Sequence, residues 1–408
     1  MSVLEDQPSV APQESSPRQL LVFADDWGRH PSSCQHLVRR LLPQLPTLWI
    51  NTIGTRKPRL DLATLRRGWE KLQAWRKRGE GRRDRGQPAG AGASPGATGV
   101  TAERLSHLRV VSPLMWPYFT RTHDRWLNRR LLTRVIAPLL ADAAHTTAIT
   151  TLPITADLVG ALPVQKWIYY CVDDFSQWPG LDGQTLEQME RALVARVDGV
   201  VAASAVLQAR LRSLGRSEVP LLTHGVDLEH WQSSAASNAE LWPELPRPWI
   251  VFWGLIDRRL DVTWLKALGE QLQRGTILLV GPTQDPDPQL AELPRVALRP
   301  ALAFDELPAL AREASVLVMP YADLPVTRAM QPLKLLEYLA TGKPVVVREL
   351  PAVAEWRDAL DACNDADLFV QTTLARLGTS LPSTQEHARA RLADHSWRAK
   401  ARELLRWL

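Results

Sequence analysis

The feature that most constrains this chain is an alternation of short apolar runs, four to seven residues each, with stretches of helical periodicity. The runs at 19–24 (QLLVFA), 47–53 (TLWINTI), 108–112, 147–151, 165–171 (QKWIYYC), 199–203 and 219–223 read as strands. Helical patterns fall between them at 35–42, 125–140, 185–197 and 205–214. A second series follows, with strands at 249–253 (WIVFW), 276–280 (TILLV), 296–299, 315–319 (SVLVM) and 344–348 (PVVVR) and helices at 262–273, 304–313 and 331–340. Runs this apolar belong to strands covered on both faces. Strands that alternate with helices specify parallel sheets with helices on each side. The expected class is therefore α/β, with two doubly wound, Rossmann-like domains facing a cleft.

The division follows from composition. Residues 229–247 are polar and proline-rich and read as the linker between a domain at 18–228 and one at 248–383. A final helix at 384–408 is expected to cross back onto the first domain. Residues 1–17 are acidic and polar, without the apolar stretch of a signal peptide, and read as a disordered tail. Residues 79–99, rich in Gly, Ala, Pro and Arg, read as part of a mobile insertion spanning about 66–100. At 408 residues the chain is long enough for two cores. Its three cysteines, Cys34, Cys171 and Cys363, lie far apart, which argues against a disulfide framework or a zinc module and fits a reducing cytoplasm. No apolar run reaches the ~20 residues of a membrane span. The least polar stretch, 131–164, is interrupted by Arg134, Asp142, His145 and three prolines and reads as core.

Charge is uneven. The formal net charge is +5, yet residues 66–85 alone hold nine Lys/Arg against three Asp/Glu. That segment is either a solvated face or a foothold on anionic lipid, with Trp69 and Trp75 as interfacial anchors. A pI of about 9.3 without a nucleic-acid-binding motif does not point to nucleic acid.

The chemistry concentrates in two places. In the second domain a strand, a loop at 321–327 and a helix carrying Glu337 precede Gly342-Lys343-Pro344. Parallel sheets bind ligands at the carboxyl ends of their strands, against helix N-termini whose free N–H groups favour phosphate. Residues 325–333 are thus a candidate diphosphate seat. Glu337 is either a ligand for a ribose diol or a surface carboxylate on an amphipathic helix. Arg258, Arg259 and Lys334 are candidate cations for a departing diphosphate, no metal cluster being evident in the sequence. Loop exposure would explain the two arginines equally well. Gly254 would allow close backbone approach to a donor. In the first domain, Asp173 and Asp174 follow the WIYY strand and could orient or deprotonate a sugar hydroxyl, or cap a turn. His123 is a further candidate base or an inert loop histidine. Ser32 and Ser33 could face the cleft or simply cap a helix.

Residues 329–346 resemble the signature of retaining, GT-B-fold glycosyltransferases of the family-4 (group 1) type. That signature has two glutamates with seven residues between them, then A-x-G-x-P-V-V. Glu337 matches the second glutamate, and Ala340, Gly342, Pro344, Val345 and Val346 match the tail. Ala329 stands where the first glutamate belongs. The resemblance implies that Glu337 binds the donor's ribose, with Met330, Gln331 and Leu333 in the same donor-binding segment, and leaves recognition of the transferred sugar unassigned. The form P-x-K-x-x-E-Y-L-A-x-G-K-P-V-V is similar to a teichuronic-acid-type subgroup of polysaccharide assembly. Trp27-Gly28 with Ser32-Ser33, Tyr170 with Asp173-Asp174 and Trp178-Pro179-Gly180, His224-Gly225-Val226-Asp227, and 254–261 (GLIDRRLD) resemble that subgroup as well. His224 would contribute backbone or imidazole.

The expected function is a glycosyltransferase acting without a separate cofactor. It would move a hexosyl or uronosyl group from a nucleoside-diphosphate sugar, UDP first, to a saccharide or lipid-linked saccharide in cell-surface polysaccharide synthesis. Retention and metal independence are part of that expectation, as is a cytoplasmic, membrane-peripheral location. The alternatives are a nucleotide-sugar epimerase on the same fold and a non-catalytic nucleotide-sugar-binding protein.

Overall fold

The computed structural model describes residues 19–28, 32–52, 107–140, 142–233 and 241–408. The expected tail at 1–17, the basic stretch at 66–85 and the insertion around it lie outside the described residues.

Two six-stranded parallel sheets organise the chain. The first is built from β1 (Gln19–Ala24), α1 (Ser33–Leu41), β2 (Thr47–Asn51), β3 (Leu108–Val111), α2 (Thr122–Ile136), β4 (Thr146–Thr150), β5 (Lys166–Cys171), α3 (Gly183–Arg196), β6 (Gly199–Ala202) and α4 (Ala205–Ser213). A short α5 (Leu228–Gln232) leads to the second set. This comprises β7 (Trp249–Trp253), α6 (Val262–Gln271), β8 (Thr276–Val280), β9 (Val296–Arg299), α7 (Leu307–Glu313), β10 (Val316–Met319), α8 (Pro325–Ala329), α9 (Leu333–Ala340), β11 (Val345–Arg348), β12 (Asp361–Cys363) and α10 (Ala366–Arg376). The chain ends in α11 (Ser383–Arg389) and α12 (Trp397–Leu405).

The strand orders are β3-β2-β1-β4-β5-β6 and β12-β11-β10-β7-β8-β9. Counted from each sheet's first strand, both read 3-2-1-4-5-6. In this doubly wound order the chain reverses direction across the sheet beside its first strand. The central strands are covered on both faces, and β4, β7, β8 and β10 are buried throughout. That is why their sequences are continuous apolar runs rather than alternating ones.

Two expected elements are corrected. The run at 219–223 is no strand: its backbone pairs with the first sheet at a single bridge, Ala202 to Leu221. Pro220, without an N–H, can contribute only its carbonyl, which accepts from Ala202 N at 2.9 Å. The helix expected at 384–408 is three pieces, α11, a 3-10 segment at Ala390–His395 and α12. Ser396 begins α12 afresh, its hydroxyl accepting from Ala399 N at 3.2 Å. Buried Arg389 pins α11 by donating to the carbonyls of Ala359 (2.9 Å), Leu339 (3.3 Å) and Lys343 (2.8 Å). β12 and α10 were not expected. Only three residues long, β12 is too short to stand out by pattern.

The last helix lies on the first domain. Trp397 stacks on His36 of α1, centroids 4.7 Å apart and planes within 5°, and Leu408 O accepts from Thr147 Oγ1 at 3.2 Å. The crossing strands meet at Gly225, where a Cβ would sit 2.9 Å from Trp397 N and 3.0 Å from His395 O. Only glycine lets the two backbones approach so closely there.

Candidate active site

In an open parallel sheet the loops leaving the reversal point splay apart and leave a crevice. In the second sheet that point lies between β7 and β10. Gly254 follows β7 and Tyr321 follows β10. Gly254 has φ 138°, and a Cβ there would fall 2.2 Å from Lys334 Nζ and 2.8 Å from its Cε. The missing side chain is thus the seat of Lys334. That ammonium donates to Tyr321 Oη at 2.6 Å and sits 4.4 Å from the Phe252 ring centroid. Lys334 stands in the first turn of α9, whose N-cap, Pro332, supplies no side-chain bond to the free N–H groups. A cation therefore stands at a helix N-terminus beside the reversal point, the combination an anion site requires.

Glu337 lies one turn further along α9, partly buried. Trp253 Nε1, at the end of β7, donates to its Oε2 at 3.5 Å. Burial pushes the Glu337 carboxyl up to about 7, while the Trp253 bond and the charge of Lys334 pull it down. Gly342 at φ 72° ends the helix in the left-handed turn that glycine adopts without strain.

The two arginines separate. Arg258 pairs with Asp285 at 3.2 Å on the surface, both side chains about half exposed. Arg259 is buried and held by Asp257, with Nε 3.0 Å from both carboxylate oxygens. Its Nη1 also lies 3.7 Å from Met330 Sδ, and its guanidinium stands 4.7 Å from the Trp178 ring. Trp178 belongs to the loop after β5, so this stack joins the two domains across the cleft. Met330 is buried, and Gln331 and Leu333 are partly buried. Leu333 packs against the core of the first domain.

On the first-domain side, Asp173 is partly buried and its carboxyl rises to about 7. Burial is the main cause, the Arg259 charge opposes it and the neighbouring Asp174 adds to it. Asp174 itself is engaged in structure. Its Oδ1 accepts from Ser176 N at 3.0 Å and Oγ at 2.5 Å, and its Oδ2 faces Arg210 Nε at 3.3 Å. The turn-forming alternative describes Asp174 well; Asp173 is the carboxylate left facing Arg259.

His123 stands apart in the first turn of α2, 68% exposed, with Nε2 3.2 Å from Asp124. Gly28, at φ 78°, donates to Gln35 Oε1 at 3.0 Å. Ser32 caps α1, accepting from Gln35 N at 3.4 Å and donating to Asp25 at 3.0 Å. Ser33 is buried in the first turn. All three sit at the carboxyl end of β1, on the rim of the first sheet's own reversal point. His224 is buried under α12, its ring 6.3 Å from Trp397 and both nitrogens without a hydrogen-bond partner. Burial lowers its pKa to about 3, with Lys400 adding to the effect.

Ala329 is 4% exposed, packs into the first domain's core, and its carbonyl accepts from Ser204 Oγ at 2.7 Å. The position where the resemblance expects a glutamate is thus a domain contact. Trp253, Asp257, Tyr321 and Trp178 complete the site and were not singled out as site residues. Each lies at or just beyond a strand's carboxyl end, the one signal by which they could have been found. Among the described residues, no group of three or more His, Cys, Asp or Glu side chains is placed to hold a metal ion.

Residues 247–378 match the family described as glycosyl transferases, group 1. A Bacillus subtilis protein described as a teichuronic acid biosynthesis glycosyltransferase is 24% identical over 238 residues, covering 55% of this chain and 60% of that protein. The match therefore spans less than two thirds of that relative. Among solved structures, sucrose-phosphate synthase from Thermosynechococcus elongatus superposes with a TM-score of 0.66 at 16% identity, covering 96% of this chain and 98% of that one. Anabaena HepE, solved in complex with UDP, gives 0.63 at 13%, covering 95% and 99%. An Escherichia coli structure bound to UDP-2-fluoro glucose gives 0.64 at 12%, covering 95% and 98%. The architecture is the GT-B fold.

Proposed function

We propose that this chain, whose second half carries a group 1 glycosyl transferase domain, moves a sugar from a UDP-sugar to a saccharide or lipid-linked saccharide acceptor. The observation that carries this reading is the crevice between β7 and β10. There Gly254 makes room for Lys334, and Glu337 lies one turn beyond on the same helix. Glu337, once ionised, accepts two hydrogen bonds from the ribose diol. The diphosphate sits against the N-terminus of α9, with Lys334 beside it. Arg259 turns from Asp257 toward the diphosphate as charge builds on the leaving oxygen, and these cations do the neutralising that the reaction needs.

The acceptor hydroxyl enters from the first-domain side. Its oxygen bonds to the anomeric carbon on the same face of the sugar from which the diphosphate departs, the carbon–oxygen bond to the diphosphate breaks, and the electron pair leaves with the phosphate. Asp173, with a pKa near neutrality, is suited to taking the proton. Retention of configuration, metal independence and work at the cytoplasmic face of a membrane in polysaccharide synthesis complete the proposal. Two UDP complexes among structures of the same fold and the polysaccharide-linked relative support it.

The test is turnover. Purified protein incubated with UDP-, GDP- and dTDP-sugars and a saccharide acceptor should release nucleoside diphosphate only from a UDP-sugar, and Glu337→Ala should abolish it. The buried Ala329 favours one rival, a protein that binds nucleotide sugar without transferring it. Nucleotide binding without turnover on any acceptor would establish that rival, and a donor altered in the absence of acceptor would establish an epimerase.

A further inference from the structure

The edge of the first domain combines exposed aromatics with unpaired arginines. β3 is the sheet's outermost strand, and both Arg109 and Val110 on it are exposed. Between β3 and α2, Leu114, Trp116 and Tyr118 are 48%, 41% and 40% exposed, and on α2 itself Trp126 is 56% exposed. These are not frayed residues. Buried Asn128 accepts from Trp116 N at 2.7 Å and donates to Trp116 O at 3.1 Å and Tyr118 O at 2.9 Å. Asp124 accepts from Trp116 Nε1 at 2.8 Å. The loop's backbone, and the Trp116 ring N–H, are thus fastened inward onto α2 while about two-fifths of the Trp116 and Tyr118 surface stays in solvent. Large side chains left out by so well-held a segment mark a contact surface.

Charge identifies the partner. From 107 to 136 there are six arginines and a single acid, Asp124, which is 4% exposed. Arg125 is bound bidentately by Asp157. Arg109, Arg121, Arg129, Arg130 and Arg134 are exposed, and no carboxylate among the described residues lies within ion-pair distance of them. At 100° per residue, Trp126, Arg129, Arg130 and Arg134 share one face of α2. The Arg130 guanidinium lies 5.6 Å from the Trp126 ring centroid. Amphipathic tryptophan and tyrosine set among arginines and bare aliphatic side chains fit the headgroup layer of an anionic bilayer. A soluble anionic polysaccharide would engage the arginines, but not Leu114 and Val110.

We infer that the β3–α2 edge, centred on Trp116, Tyr118 and Trp126 and the arginine face of α2, docks the protein on an anionic lipid surface. The loop and the start of α2 leave the carboxyl edge of the first sheet, the edge on which Asp173 stands, so docking brings the acceptor side of the cleft to the membrane. That last consequence rests on the proposed transfer reaction; the docking does not.

The test is co-sedimentation of the full chain with vesicles. The protein should pellet with phosphatidylcholine–phosphatidylglycerol vesicles and not with phosphatidylcholine alone, and raising salt should release it. Each arginine near the surface contributes about fivefold in partitioning, so Arg129→Ala/Arg130→Ala/Arg134→Ala should weaken binding on the order of a hundredfold. Trp116→Ser/Trp126→Ser should weaken it by a part that salt does not mimic. Unchanged UDP binding and melting temperature in the variants show that they are folded. Equal binding to neutral vesicles, or a triple variant that partitions like the parent, overturns the inference. So does binding to dextran sulfate without binding to vesicles. Because no arm reads turnover, a failed transferase assay leaves this result standing.

Discussion

Gly254→Ala is the smallest change that separates the proposed anion seat from the rest of the site. The added methyl carbon would fall 2.2 Å from Lys334 Nζ, whereas ordinary contact begins near 3.4 Å. The ammonium must retreat by about 1 Å or more, since repulsion at such distances rises steeply. It then gives up Tyr321 Oη, 2.6 Å away, and its place over the Phe252 ring. A hydrogen bond from the ammonium in that place to a phosphate oxygen would contribute about 1.5–3 kcal/mol, and losing it converts to roughly 10- to 150-fold in affinity. A further cost of about 1–3 kcal/mol falls on stability, because φ of 138° is strained for any residue with a Cβ. Isothermal titration with UDP and with uridine separates the two effects. UDP affinity should fall 10- to 150-fold and uridine affinity should stay within about twofold, because the methyl meets the lysine and not Glu337. Unchanged UDP binding, or an equal loss for both ligands, refutes the argument that Gly254 exists to seat Lys334.

Other substitutions probe the remaining parts of the site. Asp173→Asn should lower kcat by about 10²–10⁴ while UDP affinity holds, which steady-state kinetics would read, and should remove the limb of the pH–rate profile near 7. Ala329→Glu should not restore a sugar contact. It places a carboxylate at a position 4% exposed against the first domain, and should cost on the order of 3 kcal/mol or more by urea denaturation. His224 has a folded pKa of about 3 against 6.5 unfolded, so it stays neutral in the fold while the unfolded chain takes up a proton as pH falls below 6.5. Its contribution is whole above 6.5 and is lost between 6.5 and about 3. His224→Asn should therefore flatten the dependence of stability on pH across that window by about 1.4 kcal/mol per pH unit, measured by urea denaturation at a series of pH values.

The architecture was legible because it depends on strands covered on both faces. The runs QLLVFA, WIVFW and TILLV coincide with β1, β7 and β8 residue for residue. What the alternation could not show was whether a run finds a pairing partner. The stretch at 219–223 has strand-like composition, but Pro220 offers no N–H to a ladder and the pairing stops at one bridge. The break at Ser396 was readable as a helix cap before Trp397 but is masked by the apolar periodicity on either side. In the site, Glu337 and Lys334 were legible as one helix turn of a patterned segment. The division of labour between adjacent residues was not. Arg258 and Arg259, or Asp173 and Asp174, look equivalent in sequence, and only the surroundings set by Asp285, Asp257 and Arg210 separate them. The role of Ala329 depends on a residue 125 positions away, Ser204, and no local pattern carries such information.

Glu337 is proposed to read the nucleotide's ribose. Burial raises its pKa from 4.5 to about 7, and a carboxylate accepting two hydrogen bonds must be ionised. Nucleotide binding should therefore release a proton, and affinity should strengthen as pH rises through about 7. The decisive measurement is calorimetric titration of UDP and of 2′-deoxy-UDP into the parent and Glu337→Ala at pH values on both sides of that point. The parent should prefer UDP and bind it about tenfold more weakly for each unit below the Glu337 pKa. The variant should lose both the preference and the pH dependence. A variant that still distinguishes the two nucleotides and follows the parent's pH profile would contradict that role.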